Sequence, residues 1–250
     1  MARAAILGRL TWQAGTVVDA VRETPRVRSL VVDIPDWRGH RPGQHLDIRL
    51  TAEDGYQTAR SYSIASPPEE ARLTITVEEI EDGEVSPYLV EEVRAGDILE
   101  FRGPVGGYFV WDVAQGGPLF LVAGGSGVAP LMAMLRHRIA AGSDVPVRLL
   151  YSARALEDVI YRSELDRLAV RGAGIEVIYT FTRSAPSGWT GYSRRVDRAL
   201  LEEVAWPPDR RPLCYVCGPT SFVEAVAADL VALGHEPVRV KTERFGPTGG

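Results

Sequence analysis

The sequence predicts a β-barrel followed by an α/β domain: an antiparallel barrel, then a five-stranded parallel sheet with helices on both faces. Three observations carry this. Over residues 11–112, short alternating apolar and polar segments are broken by glycine and proline turns, the pattern of an antiparallel barrel or sandwich. From Pro118 onward, near-continuous apolar segments alternate with amphipathic ones, the pattern of a parallel sheet covered by helices. The rhythm changes over residues 112–117, which divides the chain into domains 1–113 and 114–250. Two domains also suit the length of 250 residues, since one domain takes roughly 100–200.

In the first half the expected strands are 15–22, 27–34, 45–50, 61–65, 73–78 and 98–102. Arg41-Pro-Gly, Glu53-Asp-Gly, Ser66-Pro-Pro, Asp82-Gly and Ala95-Gly-Asp punctuate them. One helix interrupts: Ser86 is a candidate N-cap, Pro87 suits the first helical position, and 88–93 follows. In the second half strands are expected at 119–123, 147–151, 175–180, 213–217 and 238–242. Helices are expected at 129–141, 156–169, 197–204 and 221–233. Residues 246–250 read as a mobile tail, and residues 1–10 give no pattern.

Composition narrows the function. A net charge of −5 argues against a nucleic-acid binder. Residues 1–113 carry 12 Arg against 19 Asp and Glu, a balance of −7, whereas residues 114–250 come to +2. An arginine-rich second half suits an anionic cofactor, and chance placement of surface charge explains it as well. No apolar run near the start is long enough for a signal-peptide core, and none anywhere approaches a membrane span, so a cytoplasmic protein with no membrane partner is expected. Cys214 and Cys217 form C-x-x-C within an apolar strand. Residues three apart in a strand face opposite sides, so these thiols are not expected to share a metal or close a disulfide.

Four segments carry chemistry. After the strand ending at Ala123 comes Gly124-Gly125-Ser126-Gly127-Val128-Ala129-Pro130. It is a variant of G-x-G-x-x-G, with Pro130 where the last glycine belongs. Glycines there let a backbone approach a pyrophosphate at a helix N-terminus; alone, the loop fits a ligand-free strand–helix turn nearly as well. Arg60-Ser61-Tyr62-Ser63 is an R-x-Y-S in a strand, with Arg60 and Tyr62 on one face. A cation, an aromatic plate and a hydroxyl suit a phosphate, a flat ring and a ring heteroatom. Gly83-Glu84-Val85-Ser86 opens the short helix as a second anion-binding candidate. Cys217-Gly218-Pro219 and Glu243-Arg244-Phe245 stand at or just beyond the ends of the last two expected strands.

In this order, R-x-Y-S, G-x-x-S, GGSGVAP, C-G-P and E-R-F, the chain resembles the ferredoxin–NADP reductase-like flavoproteins over residues 11–245. The resemblance implies an FAD-binding barrel and an NAD(P)-binding domain. Arg60 would pair with the flavin pyrophosphate, Tyr62 would pack on the ring system, and Ser63 would lie near flavin N5. Ser61, Gly83, Val85 and Ser86 would complete the flavin site. Gly124, Gly125, Ser126, Gly127, Gly218 and Pro219 would lie against the nicotinamide nucleotide. Cys217 would orient the nicotinamide without redox chemistry, Glu243 would supply a carboxylate near the reaction, and Phe245 would cover the flavin. FAD is favoured over FMN.

The strand ending Tyr151-Ser152-Ala153-Arg154 has no acid to hold ribose hydroxyls. Arg154, Thr182, Arg183 and Arg194 would suit a 2′-phosphate, so NADPH is favoured over NADH. Hydride would pass to the flavin, and electrons would leave for a separate acceptor: a ferredoxin, a flavodoxin, an oxygenase component or free flavin. The alternatives are a flavin-bearing subunit active only inside a larger complex, and a flavin-free nicotinamide dehydrogenase.

Overall fold

In the computed structural model, residues 10–172 and 174–246 are described. Six antiparallel strands form the first sheet: β1 (Gln13–Thr24), β2 (Val27–Asp33), β3 (His45–Thr51), β4 (Gln57–Ser63), β5 (Leu73–Glu78) and β6 (Ile98–Val105). Their order is β4-β3-β6-β1-β2-β5. A bridge between Ile64 and Ile75 joins the ends of β4 and β5, closing the sheet into a barrel. Alternate residues point inward; Val17, Leu30, Leu46, Ile48, Ile75, Val77 and Phe101 fill the interior. A single wide helical turn, Tyr88–Glu92, plugs one end with Leu89 and Val90.

Five parallel strands follow: β7 (Leu119–Gly124), β8 (Val147–Ala153), β9 (Ile175–Phe181), β10 (Leu213–Pro219) and β11 (Val240–Phe245), in the order β11-β10-β7-β8-β9. Helices α1 (Val128–Ala140) and α2 (Arg162–Arg171) pack with Leu121, Leu149 and Tyr215 on one face. Helices α3 (Arg198–Val204) and α4 (Thr220–Ala232) pack with Phe120, Leu150 and Val216 on the other. The chain reverses direction across the sheet beside β7, which opens a crevice at the strands' carboxyl ends.

Several boundaries differ from expectation, each for a physical reason. β4 begins at Gln57, not residue 61, because its first residues lie exposed and carry no apolar alternation. The helix expected over 156–169 is broken. A tight turn spans Leu156–Asp158, Tyr161 adopts φ 58°, and α2 starts at Arg162. The break delivers the Tyr161 hydroxyl to Thr76 of the barrel, while its backbone N–H donates to Glu23 at 3.2 Å. Pro237–Arg239 form a tight turn, so β11 starts at Val240 and runs on to Phe245. Ser86 does not cap the short helix; its hydroxyl accepts from the Ile80 N–H at 3.0 Å, satisfying the Ile80–Gly83 turn instead. Apart from Gly246, the tail expected to be mobile lies outside the described residues.

Polar ties cross the seam between the two sheets. The Ser126 hydroxyl donates to Glu78 at 2.7 Å. Arg136 donates to the Ala65 carbonyl at 2.9 Å while paired with Glu164 at 2.6 Å. His137 meets Glu69 at 2.7 Å. No helix among the described residues is long and apolar enough to cross a membrane.

Candidate active site

The crevice beside β7 is a cleft of about 220 Å³ between the barrel and the parallel sheet. Thr24, Arg26 and Glu78 form its barrel wall; Gly124, Gly125, Ser126, Arg154 and Thr182 form the opposite wall. Phe222 and Phe245 stand at one end.

The glycine loop is shaped by close approach. A Cβ on Gly127 would lie 2.2 Å from the Cys217 carbonyl oxygen, and one on Gly218 would lie 2.8 Å from the Phe222 ring. Gly125 sits at φ +55° with open space where its side chain would be, so bare backbone faces the cleft at the entrance to α1. Pro130 lies in the first turn of α1, where no helical hydrogen bond is lost.

A polar corner is assembled from both sheets. Ser63 on β4 pairs with His45 on β3, and Glu243 on β11 pairs with Cys217 on β10. His45 Nδ1 lies 3.7 Å from Glu243 Oε1. The structure thus brings Ser63, Cys217 and Glu243 to one place. Glu243 Oε2 is buried and has no hydrogen-bond partner among the described residues, a carboxylate oxygen left to meet something else.

Burial, reinforced by Glu243, pushes the Cys217 thiol well above its ordinary range. Cys214 is pushed up to about 12, also by burial. β10 turns the two thiols to opposite faces, Cys217 into the cluster with Leu121 and Tyr215, Cys214 into the one with Phe120 and Val216. Two residues before Glu243, Lys241 stands 5.6 Å from the Tyr215 ring centre and 5.8 Å from that of Tyr108. Burial, then the nearby Arg41, lowers its proton affinity.

On the barrel, Tyr62 is half-buried against the barrel core, and burial raises its phenol. Ser61 donates to Asp47 at 2.6 Å, and Arg102 holds the same carboxylate at 2.7 Å. Burial alone would raise Asp47; the hydrogen bonds from Ser61 and Arg102 outweigh it and hold the carboxyl below its usual range. Arg60 is half-exposed and pairs with Glu84 at 3.1 Å. Val85 and Ser86 are buried beneath it, and Gly83 donates its N–H to Ile80 at 2.8 Å.

Of the four residues expected around a 2′-phosphate, Arg154 and Thr182 line the cleft. Arg183 is exposed beside them, its N–H bonded to the Arg154 carbonyl at 2.9 Å. Arg194 is turned to Glu203 at 2.5 Å. His45, Glu78 and Phe222 were not legible as site residues. Each is an ordinary residue in an ordinary segment, and only the fold brings it to a motif.

The residues present fit a flavin and a dinucleotide. The glycines keep side chains out of the loop, the cleft is walled by backbone and arginine, and one Glu243 carboxylate oxygen is buried without a partner among the described residues.

Known proteins agree. Residues 15–110 match the oxidoreductase FAD-binding domain, and residues 121–228 match the oxidoreductase NAD-binding domain. Ferredoxin–NADP reductase B of Sorangium cellulosum is 34% identical over 209 residues, covering 81% of this chain and 84% of that protein. The glycine betaine monooxygenase reductase subunit of Pseudomonas aeruginosa is 32% identical over 246 residues, covering 95% of this chain. This chain spans 66% of that subunit's length. The flavohem-like FAD/NAD-binding domain of nitric oxide dioxygenase from Vibrio cholerae superimposes with a TM-score of 0.84 at 25% identity, covering 94% of this chain and 99% of that one. A ferredoxin–NADP+ reductase from Neisseria gonorrhoeae, solved with FAD and NADP, shares the fold with a TM-score of 0.79 at 19% identity, covering 94% and 98%.

Proposed function

Because this chain belongs to the ferredoxin–NADP reductase-like flavoprotein family, we propose that it takes hydride from NAD(P)H, NADPH being favoured, onto FAD and passes the electrons to a separate acceptor. The observation that carries this reading is the corner where Ser63, Cys217 and Glu243 converge across the seam. Bound FAD accepts electrons as a pair and releases them singly. The chain's own part is positioning.

Arg60, Ser61, Tyr62, Ser63 and the Gly83–Ser86 segment would hold the flavin, with the Tyr62 ring against its face and the Ser63 hydroxyl directed at N5. Gly124, Gly125, Ser126, Gly127, Gly218 and Pro219 would hold the nicotinamide nucleotide by backbone contact. Cys217, kept as a neutral thiol by burial, would present a soft, uncharged sulfur that orients the nicotinamide without redox chemistry. Glu243 offers its unpartnered oxygen to a donor on the incoming ring and excludes bulk water. Phe245 must turn aside to admit the nicotinamide. Arg154, Thr182 and Arg183 would meet a 2′-phosphate; Arg194 would have to leave Glu203 to join them. Residues 1–113 and 114–250 are the two functional domains of this reading.

The acceptor we infer is a ferredoxin, a flavodoxin or an oxygenase component, in the cytoplasm where the nicotinamide pool lies, with neither nucleic acid nor membrane as partner. Relatives named as oxygenase reductase components favour the last. A flavin-bearing subunit active only inside a larger complex is the second reading.

The test is an anaerobic titration of the FAD-loaded chain with NADPH and with NADH, followed at the flavin's visible band. Stoichiometric bleaching, tighter with NADPH, is the expected result. Bleaching preferentially by NADH overturns the cofactor preference, and no bleaching by either overturns the hydride route for the isolated chain.

A further inference from the structure

Three donors on and before β4 converge on one carboxylate. The Glu84 carboxylate accepts from the Tyr56 hydroxyl at 3.2 Å, from the Thr58 hydroxyl at 3.1 Å and from Arg60 Nη2 at 3.1 Å. Arg60 Nη1 is steadied by the Thr58 hydroxyl at 3.1 Å and by the Ala59 carbonyl at 2.8 Å. Tyr56, Thr58 and Glu84 stand in the wall of a groove of about 680 Å³ that also takes in Arg49 and Tyr88. The donors form an anion cradle, and a side chain of the same protein fills it.

We propose that Glu84 is an internal competitor for the flavin phosphates: its carboxylate mimics a phosphate oxygen pair in the cradle of Tyr56, Thr58 and Arg60, and must leave before phosphate enters. The inference rests on the reading that Arg60 binds the flavin pyrophosphate. It adds two phosphate donors, Tyr56 and Thr58, that no motif marks, and gives the variable second position of G-x-x-S a role.

The physics makes Glu84 a weak competitor, not a lock. Both members of the Arg60–Glu84 pair are about half exposed, so solvent screens their attraction and the pair is easily exchanged. The flavin pyrophosphate carries two negative charges to the carboxylate's one and presents more acceptor oxygens to the same fork. Once displaced, the Glu84 charge stays within reach of the pyrophosphate and repels it. Both effects loosen the flavin, and both vanish when the carboxylate is replaced by an amide.

The experiment is the release of FAD from the loaded full chain on dilution, read as recovery of free-FAD fluorescence, for the parent, Glu84→Gln, Thr58→Val and Arg60→Ala. Glu84→Gln is expected to slow release about two- to fivefold at low salt, with the difference shrinking at high salt. Thr58→Val is expected to speed release. FMN should follow FAD, and riboflavin, which lacks phosphate, should leave both proteins at one rate. Unchanged or faster FAD release from Glu84→Gln overturns the proposal, as does equal slowing with riboflavin. Release from Arg60→Ala at the parental rate would instead overturn the underlying reading of Arg60, so the two failures are distinct.

Discussion

His45 Nδ1 lies 3.7 Å from Glu243 Oε1, and this contact joins the third strand of the barrel to the last strand of the parallel sheet. Ser63 and Cys217 are the strand partners of these two residues. This corner therefore exists only while the two sheets hold their relative position, and the polar ties at Ser126–Glu78 and Tyr161–Thr76 hold it.

If Glu243 positions the incoming ring, Glu243→Ala should slow flavin reduction about tenfold or more. FAD content should be unchanged, because the proposed role puts the residue on the nicotinamide side. Anaerobic stopped-flow mixing reads the first and the flavin-to-protein absorbance ratio the second. A parental reduction rate would remove Glu243 from the chemistry.

Two glycines of one loop should fail differently. Gly127→Ala forces a methyl against the Cys217 carbonyl at 2.2 Å, so overpacking should cost about 1–3 kcal/mol or more in urea unfolding. Gly125→Ala meets open space but keeps φ +55°, which should cost about 1–2 kcal/mol. Equal, negligible losses would show that the loop relaxes freely.

Arg60→Ala should lower flavin occupancy of the purified chain, and Arg60→Lys should recover part of it, since a lysine keeps the charge but not the fork. Full occupancy in Arg60→Ala would end its proposed role.

Arg183→Ala should raise the apparent binding constant for NADPH about tenfold, the order expected for a lost charge-assisted bond, and leave that for NADH unchanged. Equal changes with both nucleotides would mean that Arg183 does not meet a 2′-phosphate.

His40 is buried, its Nε2 donating to the Ser66 carbonyl at 2.9 Å, and burial lowers its proton affinity. The unfolded chain then binds the proton more readily than the folded one. Its contribution to stability is complete above the unfolded value near about 6.5 and is lost as pH falls below it. Urea unfolding at about pH 7 and about pH 5 should show the decline, and His40→Gln should flatten it.

The division into two sheets was readable because each has its own hydrophobic period. β5 lies where alternation over residues 73–78 placed it. The boundary at Tyr161 is the one set from afar. Nothing near Tyr161 announces a left-handed residue, because the force that puts it there is a hydroxyl bonded to Thr76, 85 positions away. Ser86 reads as a helix cap by its type, yet the turn before it had an unpaired N–H and took the hydroxyl first. Of the site, the glycine loop and R-x-Y-S were visible as spacing, while His45 is one polar residue in a strand until the fold sets Glu243 opposite.

Lys241 is the chain's single lysine among 27 arginines, and its amine lies over the Tyr215 ring, two residues from Glu243 on the same strand. Amine-directed labelling therefore has one side-chain target in the whole polypeptide, beside the reaction corner. Reductive methylation with isotopically labelled formaldehyde would place one side-chain magnetic-resonance reporter there. Its chemical shift, moved by the ring current of Tyr215 and by whatever ring docks at the corner, would follow nucleotide arrival in solution without optical interference from the flavin.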